Sequence, residues 1–129
     1  MVKKANVTTE KHFKMYQSEI TRLLFALGLM HRAVDFEHTE MAHSDESITQ
    51  ARFCCDAEGQ WVSFVLNTTW GSDRIRQGGI KRVALHETFH YLLDDLIQLA
   101  LKRTATEEDI RREEHRVINR LINATFGKI

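Results

Sequence analysis

Apolar positions follow helical spacing toward both ends of the chain and alternate with polar ones in its middle. From Thr9 to Leu27, the residues Phe13, Tyr16, Ile20, Leu23, Leu24 and Leu27 recur every few positions, with Lys11, Lys14, Glu19 and Arg22 on the polar face. This spacing predicts an amphipathic helix that Gly28 stops. Ala33 to Thr39 then alternates, Val34 and Phe36 against Asp35 and Glu37, as a half-buried strand does. Met41 to Ser47 is polar and reads as a loop. Two further strand-like runs, Gln50 to Asp56 and Gln60 to Thr69, flank Ala57-Glu58-Gly59, a hairpin turn in which the glycine takes a positive φ.

After Trp70 the helical period takes over. Gly71-Ser72-Asp73 reads as a break, and Gly78-Gly79 as a second break or a weak first turn. A long helix is expected from Ile80 to Lys102. Thr104 or Thr106 can cap a last helix, with Glu107 or Asp109 in the capping-box position. Ile110, Val117, Ile118, Leu121 and Ile122 carry it to Phe126, and Gly127 ends it. The order helix, three strands, helix, helix predicts an α+β fold. Its sheet is expected to be three-stranded and mainly antiparallel, with the two C-terminal helices forming a hairpin against it. Residues 1–129 provide for one domain and leave no room for a second core.

Composition narrows the function classes. Lysine plus arginine and aspartate plus glutamate balance at 18 each, so the surplus of positive charge that marks nucleic-acid or membrane-surface binding is missing. The longest apolar runs, Leu23 to Leu27 and Leu96 to Leu101, fall well short of the roughly 20 residues a membrane span needs. Met1-Val2-Lys3-Lys4-Ala5-Asn6 has no apolar stretch behind it, and a cytoplasmic location is expected. Cys54 and Cys55 are neighbours, cannot easily close a normal disulfide, and read as reduced thiols. The pairs Arg74 with Arg76 and Lys81 with Arg82 read as solvated charge. The oligomeric state is left open.

The chemistry concentrates in His86-Glu87-Thr88-Phe89-His90. Two histidines four residues apart on a helix project from one face, where both imidazoles can reach one zinc ion at roughly 2.0–2.1 Å. Glu87, displaced by about 100° around the axis, can reach a water on the metal and act as general base. His86 and His90 share a face with Val83, Leu93, Ile97 and Ala100, while Leu85, Phe89, Leu92 and Leu96 form a second apolar face. A helix apolar on two sides is expected to be central, with the histidines pointing inward. A catalytic zinc keeps three protein ligands and an open place. On the last helix Glu114 falls in the middle of the stripe Ile110, Val117, Leu121 and Thr125, Glu113 at its margin, and His115 away from it. A carboxylate in a buried stripe needs a partner. Glu114 is therefore the expected third ligand, with Asp94 and His115 as alternatives. His38, His43, Tyr91 and His115 are candidate donors to an oxyanion.

The His-Glu-x-x-His segment, followed by Glu114 on the next helix, resembles the gluzincin branch of the zincin metallopeptidases, in the small form that bacteria and phages encode. The resemblance implies a minimal scaffold of backing helix, small sheet and active-site helix, one zinc ion, and a peptide or protein substrate. It also implies a sheet edge that pairs with an extended peptide, for which Gln60 to Thr69 is the candidate. The expected function is thus zinc-dependent peptide-bond hydrolysis, with Glu87 catalytic and His86, His90 and Glu114 as ligands. The alternatives are a zincin-like binding or regulatory domain without catalysis, and a structural module in which the histidines are coincidental.

Overall fold

The computed structural model describes residues 4–56 and 59–126. It consists of helix α1 (Glu10–Leu27), strands β1 (Ala33–Thr39), β2 (Ala51–Cys55) and β3 (Trp61–Asn67), and helices α2 (Gln77–Ala100) and α3 (Glu107–Phe126). This is the α+β plan expected from the pattern. Among the described residues no helix is long and apolar enough to cross a membrane. Of the expected hairpin turn, Ala57 and Glu58 lie outside the described residues, as does the helix stop at Gly127; Gly59 has the expected positive φ, 68°.

The helix ends follow from local chemistry. Thr9 caps α1: its hydroxyl accepts the His12 N–H at 3.3 Å, and His12 Nδ1 accepts the Thr9 N–H at 3.0 Å. Gly28 closes the helix in the left-handed conformation, φ 68°, where a side chain would clash with the following carbonyl. Thr106 and Asp109 exchange the same reciprocal bonds before α3. Gly78 and Gly79 fall inside the first turn of α2 rather than before it. The first four N–H groups of a helix have no internal partner in any case, so weak helix formers cost little there.

The sheet differs from expectation in its pairing. Its order is β1-β3-β2, with β1 parallel and β2 antiparallel to β3. It is mixed, not mainly antiparallel. β3 is the central strand, buried from Val62 to Asn67. That overturns the expectation that Gln60 to Thr69 offers an edge to a peptide, because both of its edges are already paired. The free edges belong to β1 and β2. The Asp56 N–H donates to Trp61 O, and the Asn67 N–H to Gln50 O. Directly opposed residues in an antiparallel ladder alternate between bonded and non-bonded pairs. The N–H and C=O groups of Ala51, Phe53 and Cys55 therefore point away from β3, toward the free edge of β2.

Tyr16, Ile20, Leu24 and Leu27 of α1 join Ile80, Ala84, Tyr91 and Leu92 of α2 and Val62, Phe64 and Leu66 of β3 in one apolar core. Phe36, Phe53 and Phe64, one from each strand, form a cross-strand aromatic row, and the Tyr91 ring stacks on Phe53 and Phe64. This row seats the middle of α2 on the sheet. Arg32, just before β1, holds the same turn through ion pairs to Asp94 (3.0 Å) and Asp95, with its guanidinium over the Tyr91 ring. α3 packs on α2 and α1, where Val117 is buried and Arg120 donates to the carbonyls of Leu27 and Gly28. The two C-terminal helices thus do not lie together against the sheet; α3 covers the helix pair from outside.

Candidate metal centre

α2 is turned relative to the sequence reading. Its buried residues are Ile80, Ala84, Glu87, Thr88, Tyr91 and Leu92, while His86 and His90 are exposed. Leu93 and Ile97, which share the histidine face, are 40% and 54% exposed. The inward face therefore carries Glu87, and the histidines point outward. Thr88 tolerates the core because its hydroxyl donates to Ala84 O at 2.7 Å, and so brings no unsatisfied polar atom with it.

The histidine pair converges. His86 Nε2 and His90 Nε2 are 3.2 Å apart, and the rings meet edge to face with centroids 4.8 Å apart. Two ring nitrogens at that separation either share a proton or direct both lone pairs into one small volume. That separation is short enough for one ion to be bound by both nitrogens. Glu87 completes the group, since one ligand atom from each of His86, Glu87 and His90 lies within 4.8 Å of the others. These three side chains are close enough to hold a metal ion. Exposed, soft-edged imidazoles beside one carboxylate are a donor set that suits a divalent transition ion.

Glu87 is only 6% exposed, wedged between α2 and the free edge of β2. Burial pushes its carboxyl above its ordinary value; the His90 and His86 imidazoles, the Phe53 backbone N–H and the Arg52 guanidinium act in the opposite direction without cancelling it. A groove of about 600 Å³ runs beside the group. One wall is the segment from Ile48 to Ala51 leading into β2, and the other is Val83, His86 and Glu87 of α2. Trp70 forms its base, held by an indole N–H donated to Gln50 O at 3.2 Å. The fully buried Asn67 side chain fixes the approach to this wall by bonding to the backbone of Met41, Thr49 and Thr69.

The remaining candidates stand elsewhere. Glu114 is exposed, outside the three-residue group. The inward line of α3 is Ile110, Glu113, Val117 and Arg120, so Glu113 rather than Glu114 is the half-buried carboxylate, and it pairs with Arg116 at 3.2 Å. The buried stripe that recommended Glu114 is thus rotated away from it. Asp94 is taken by Arg32. His115 Nδ1 donates to Arg111 O at 2.8 Å. His38 stacks on Phe13 and bonds Thr8 at 2.7 Å, and His43 Nδ1 accepts the Thr49 N–H at 3.0 Å. Tyr91 is buried at 2% exposure within the aromatic row. None of these three joins the metal group. Both thiols are free, as expected; burial and the neighbouring Asp94 carboxylate raise the Cys55 thiol. Sequence reasoning did not find Arg32, Trp70 or the edge of β2, because each acts through pairing distant in the chain. No protein-family model, no curated protein and no solved structure matches this chain.

Proposed function

We propose that the protein is a zinc-dependent peptidase whose centre is His86, Glu87 and His90. The observation that carries this reading is the convergence of two solvent-facing imidazole nitrogens at 3.2 Å beside a buried carboxylate. The same contact can be a shared proton in the metal-free chain, and the carboxylate beside it is what favours a metal ion. His86 and His90 would hold a zinc ion, which would supply Lewis acidity to polarise a carbonyl and acidify a water. Glu87 takes the proton from the attacking water on a carboxylate oxygen and returns it to the departing amine. Its wedged position fixes the carboxylate beside the imidazoles, so that proton transfer needs little rearrangement.

The edge of β2 is the proposed seat of the peptide. Its outward N–H and C=O groups at Ala51 line the groove beside Glu87, and an extended chain can pair with them and with the Phe53 carbonyl as an added strand, while the Phe53 N–H is held by Glu87. For a third protein ligand, Asp94 and His115 are committed to other partners, whereas Glu114 has none among the described residues. Glu114 is nevertheless exposed and outside the group of three, so the reading rests on His86, Glu87 and His90.

One observation favours the second reading, a metal-binding domain without catalysis: among the described residues no further His, Cys, Asp or Glu joins the group of three. The zinc-loaded protein and its Glu87→Gln variant, assayed on a mixed library of quenched peptides, separate the two. Hydrolysis lost in the variant with zinc retained supports the peptidase. Zinc retained with no hydrolysis by either protein supports the binding domain.

A further inference from the structure

We propose that the groove beside the metal group selects peptides carrying an acidic side chain about two residues from the bond to be cut. This rests on the peptidase reading and names its substrate class. Two guanidinium-bearing residues, Arg74 and Arg82, line the groove, and the only carboxylate among the lining residues is Glu87. The chain as a whole is charge-balanced, so this excess is local.

The two arginines are also uncommitted, as are Arg52, Arg76 and Arg103 among the described residues, but of these five only Arg74 and Arg82 line the groove. Arg22, Arg111, Arg112 and Arg116 each pair with an acid on their own helix, and Arg32 pairs with Asp94 and Asp95. Arg74 and Arg82 have no ion pair or side-chain hydrogen bond among the described residues. The cause is visible in the sequence: from Gln77 to His86 there is no acidic residue at all, so Arg82 has no partner three or four positions away. Asp73, next to Arg74, is turned to the Gln50 side-chain amide at 2.9 Å. α2 also begins with no acid in its first turn and no side-chain cap, so its positive end adds to the same sign of potential. By contrast, the hollow lined by Arg32, Asp94, Asp95, Asp56 and Lys102 carries both signs and pairs them internally.

The position follows from geometry. Arg82 precedes His86 by one helical turn, about 5.4 Å along the axis. An extended peptide advances about 3.3 Å per residue, so a carboxylate meeting Arg82 sits about two residues from a carbonyl at the metal group. Guanidinium binds carboxylate through paired N–H donors, which gives direction as well as charge.

The test uses the full chain as Glu87→Gln, loaded with zinc, and fluorescein-labelled neutral heptapeptides into which Glu, Gln or Lys is placed at each position in turn. Anisotropy titration at low salt should show the Glu peptide binding about three- to tenfold tighter than the Gln peptide at one position, and the Lys peptide weaker. The preference should shrink as salt rises. It should disappear in Arg74→Gln/Arg82→Gln and persist in Arg74→Lys/Arg82→Lys, which keeps the charge. Equal binding of the three peptides at every position overturns the proposal, as does a preference that survives the double glutamine variant. Parallel cleavage assays of the wild-type protein keep the two readings apart. Cleavage without charge preference removes the groove's role and leaves the peptidase, whereas acid-selective binding without cleavage leaves the groove's role and removes the peptidase.

Discussion

Replacing Glu87 by glutamine should stabilise the metal-free protein at neutral pH. The carboxyl is 6% exposed, and burial outweighs the nearby imidazoles, the Phe53 N–H and Arg52 in raising it. The folded state therefore holds the Glu87 proton more tightly than the unfolded chain does. Below the ordinary carboxylate value the group is protonated in both states and contributes no difference. As the pH rises through the unfolded and then the folded value, ionisation subtracts stability, and the deficit is complete once the pH is above the folded value. Each tenfold displacement of the ionisation equilibrium corresponds to about 1.4 kcal/mol. Glutamine keeps the shape and an acceptor for the Phe53 N–H but never ionises. Relief of the cost of burying the carboxylate is expected to be on the order of 1 kcal/mol at pH 7, which for a chain of this size raises Tm by about 4 °C. Thermal unfolding by circular dichroism in chelator, at pH 7 and near pH 4, reads both limits; the gain should vanish at the lower pH. A Glu87→Gln protein that melts below the wild type at pH 7 would refute the reasoning, because it would mean that a structural partner holds the carboxylate. A residue that costs stability where it stands and abolishes hydrolysis when replaced has the profile of a functional group rather than a core one.

Other consequences are more local. Arg32→Met should destabilise the protein by about 2–4 kcal/mol, because it leaves the largely buried Asp94 carboxylate without its partner, while the half-exposed Asp95 adds little; urea unfolding with a loss under 1 kcal/mol would contradict this. Gly71→Ala should cost about 1–2 kcal/mol, since Gly71 has φ 56° and an added Cβ would lie 2.8 Å from Ile48 Cδ1. Combining it with Ile48→Ala should remove the clash but not the backbone strain, so the Tm difference between the double variant and Ile48→Ala alone reports the strain. Because Glu114 is exposed and outside the group of three, Glu114→Ala should leave zinc affinity within about twofold of the wild type, as read by competition with a chromophoric chelator; a loss of tenfold or more would bring Glu114 to the metal. Unchanged affinity would confine the ligands to the group of three.

The elements themselves were legible. The boundaries of β1 coincide with its alternating run, and the ends of α1 with Thr9 and Gly28, because capping and alternation are local properties. The orientation of α2 was not legible. Val83, Leu85, Phe89, Leu92, Leu93, Leu96 and Ile97 make it apolar on most sides, so the pattern does not select an inward face. The choice is made by Tyr91 stacking on Phe53 and Phe64 and by Arg32 reaching Asp94, contacts between residues far apart in the chain. The strand order escaped for the same reason: alternation says which side chains share a face, not which strand lies beside which. On α3 a rotation of one position exchanged Glu113 and Glu114 on the inward line, where Arg120 anchors the helix to the end of α1. The histidine pair was legible because it needs only helical spacing; the groove was not, because its walls are β2 and α2.

The measurement that bears most directly on the metal centre is zinc content per chain, by elemental analysis of untagged full-length protein after zinc loading and desalting. About one zinc per chain is expected for the wild type, and none for His86→Ala/His90→Ala with its circular dichroism spectrum preserved. A wild-type protein that takes up no zinc, or a double variant that takes up as much as the wild type, would contradict the centre proposed at His86, Glu87 and His90.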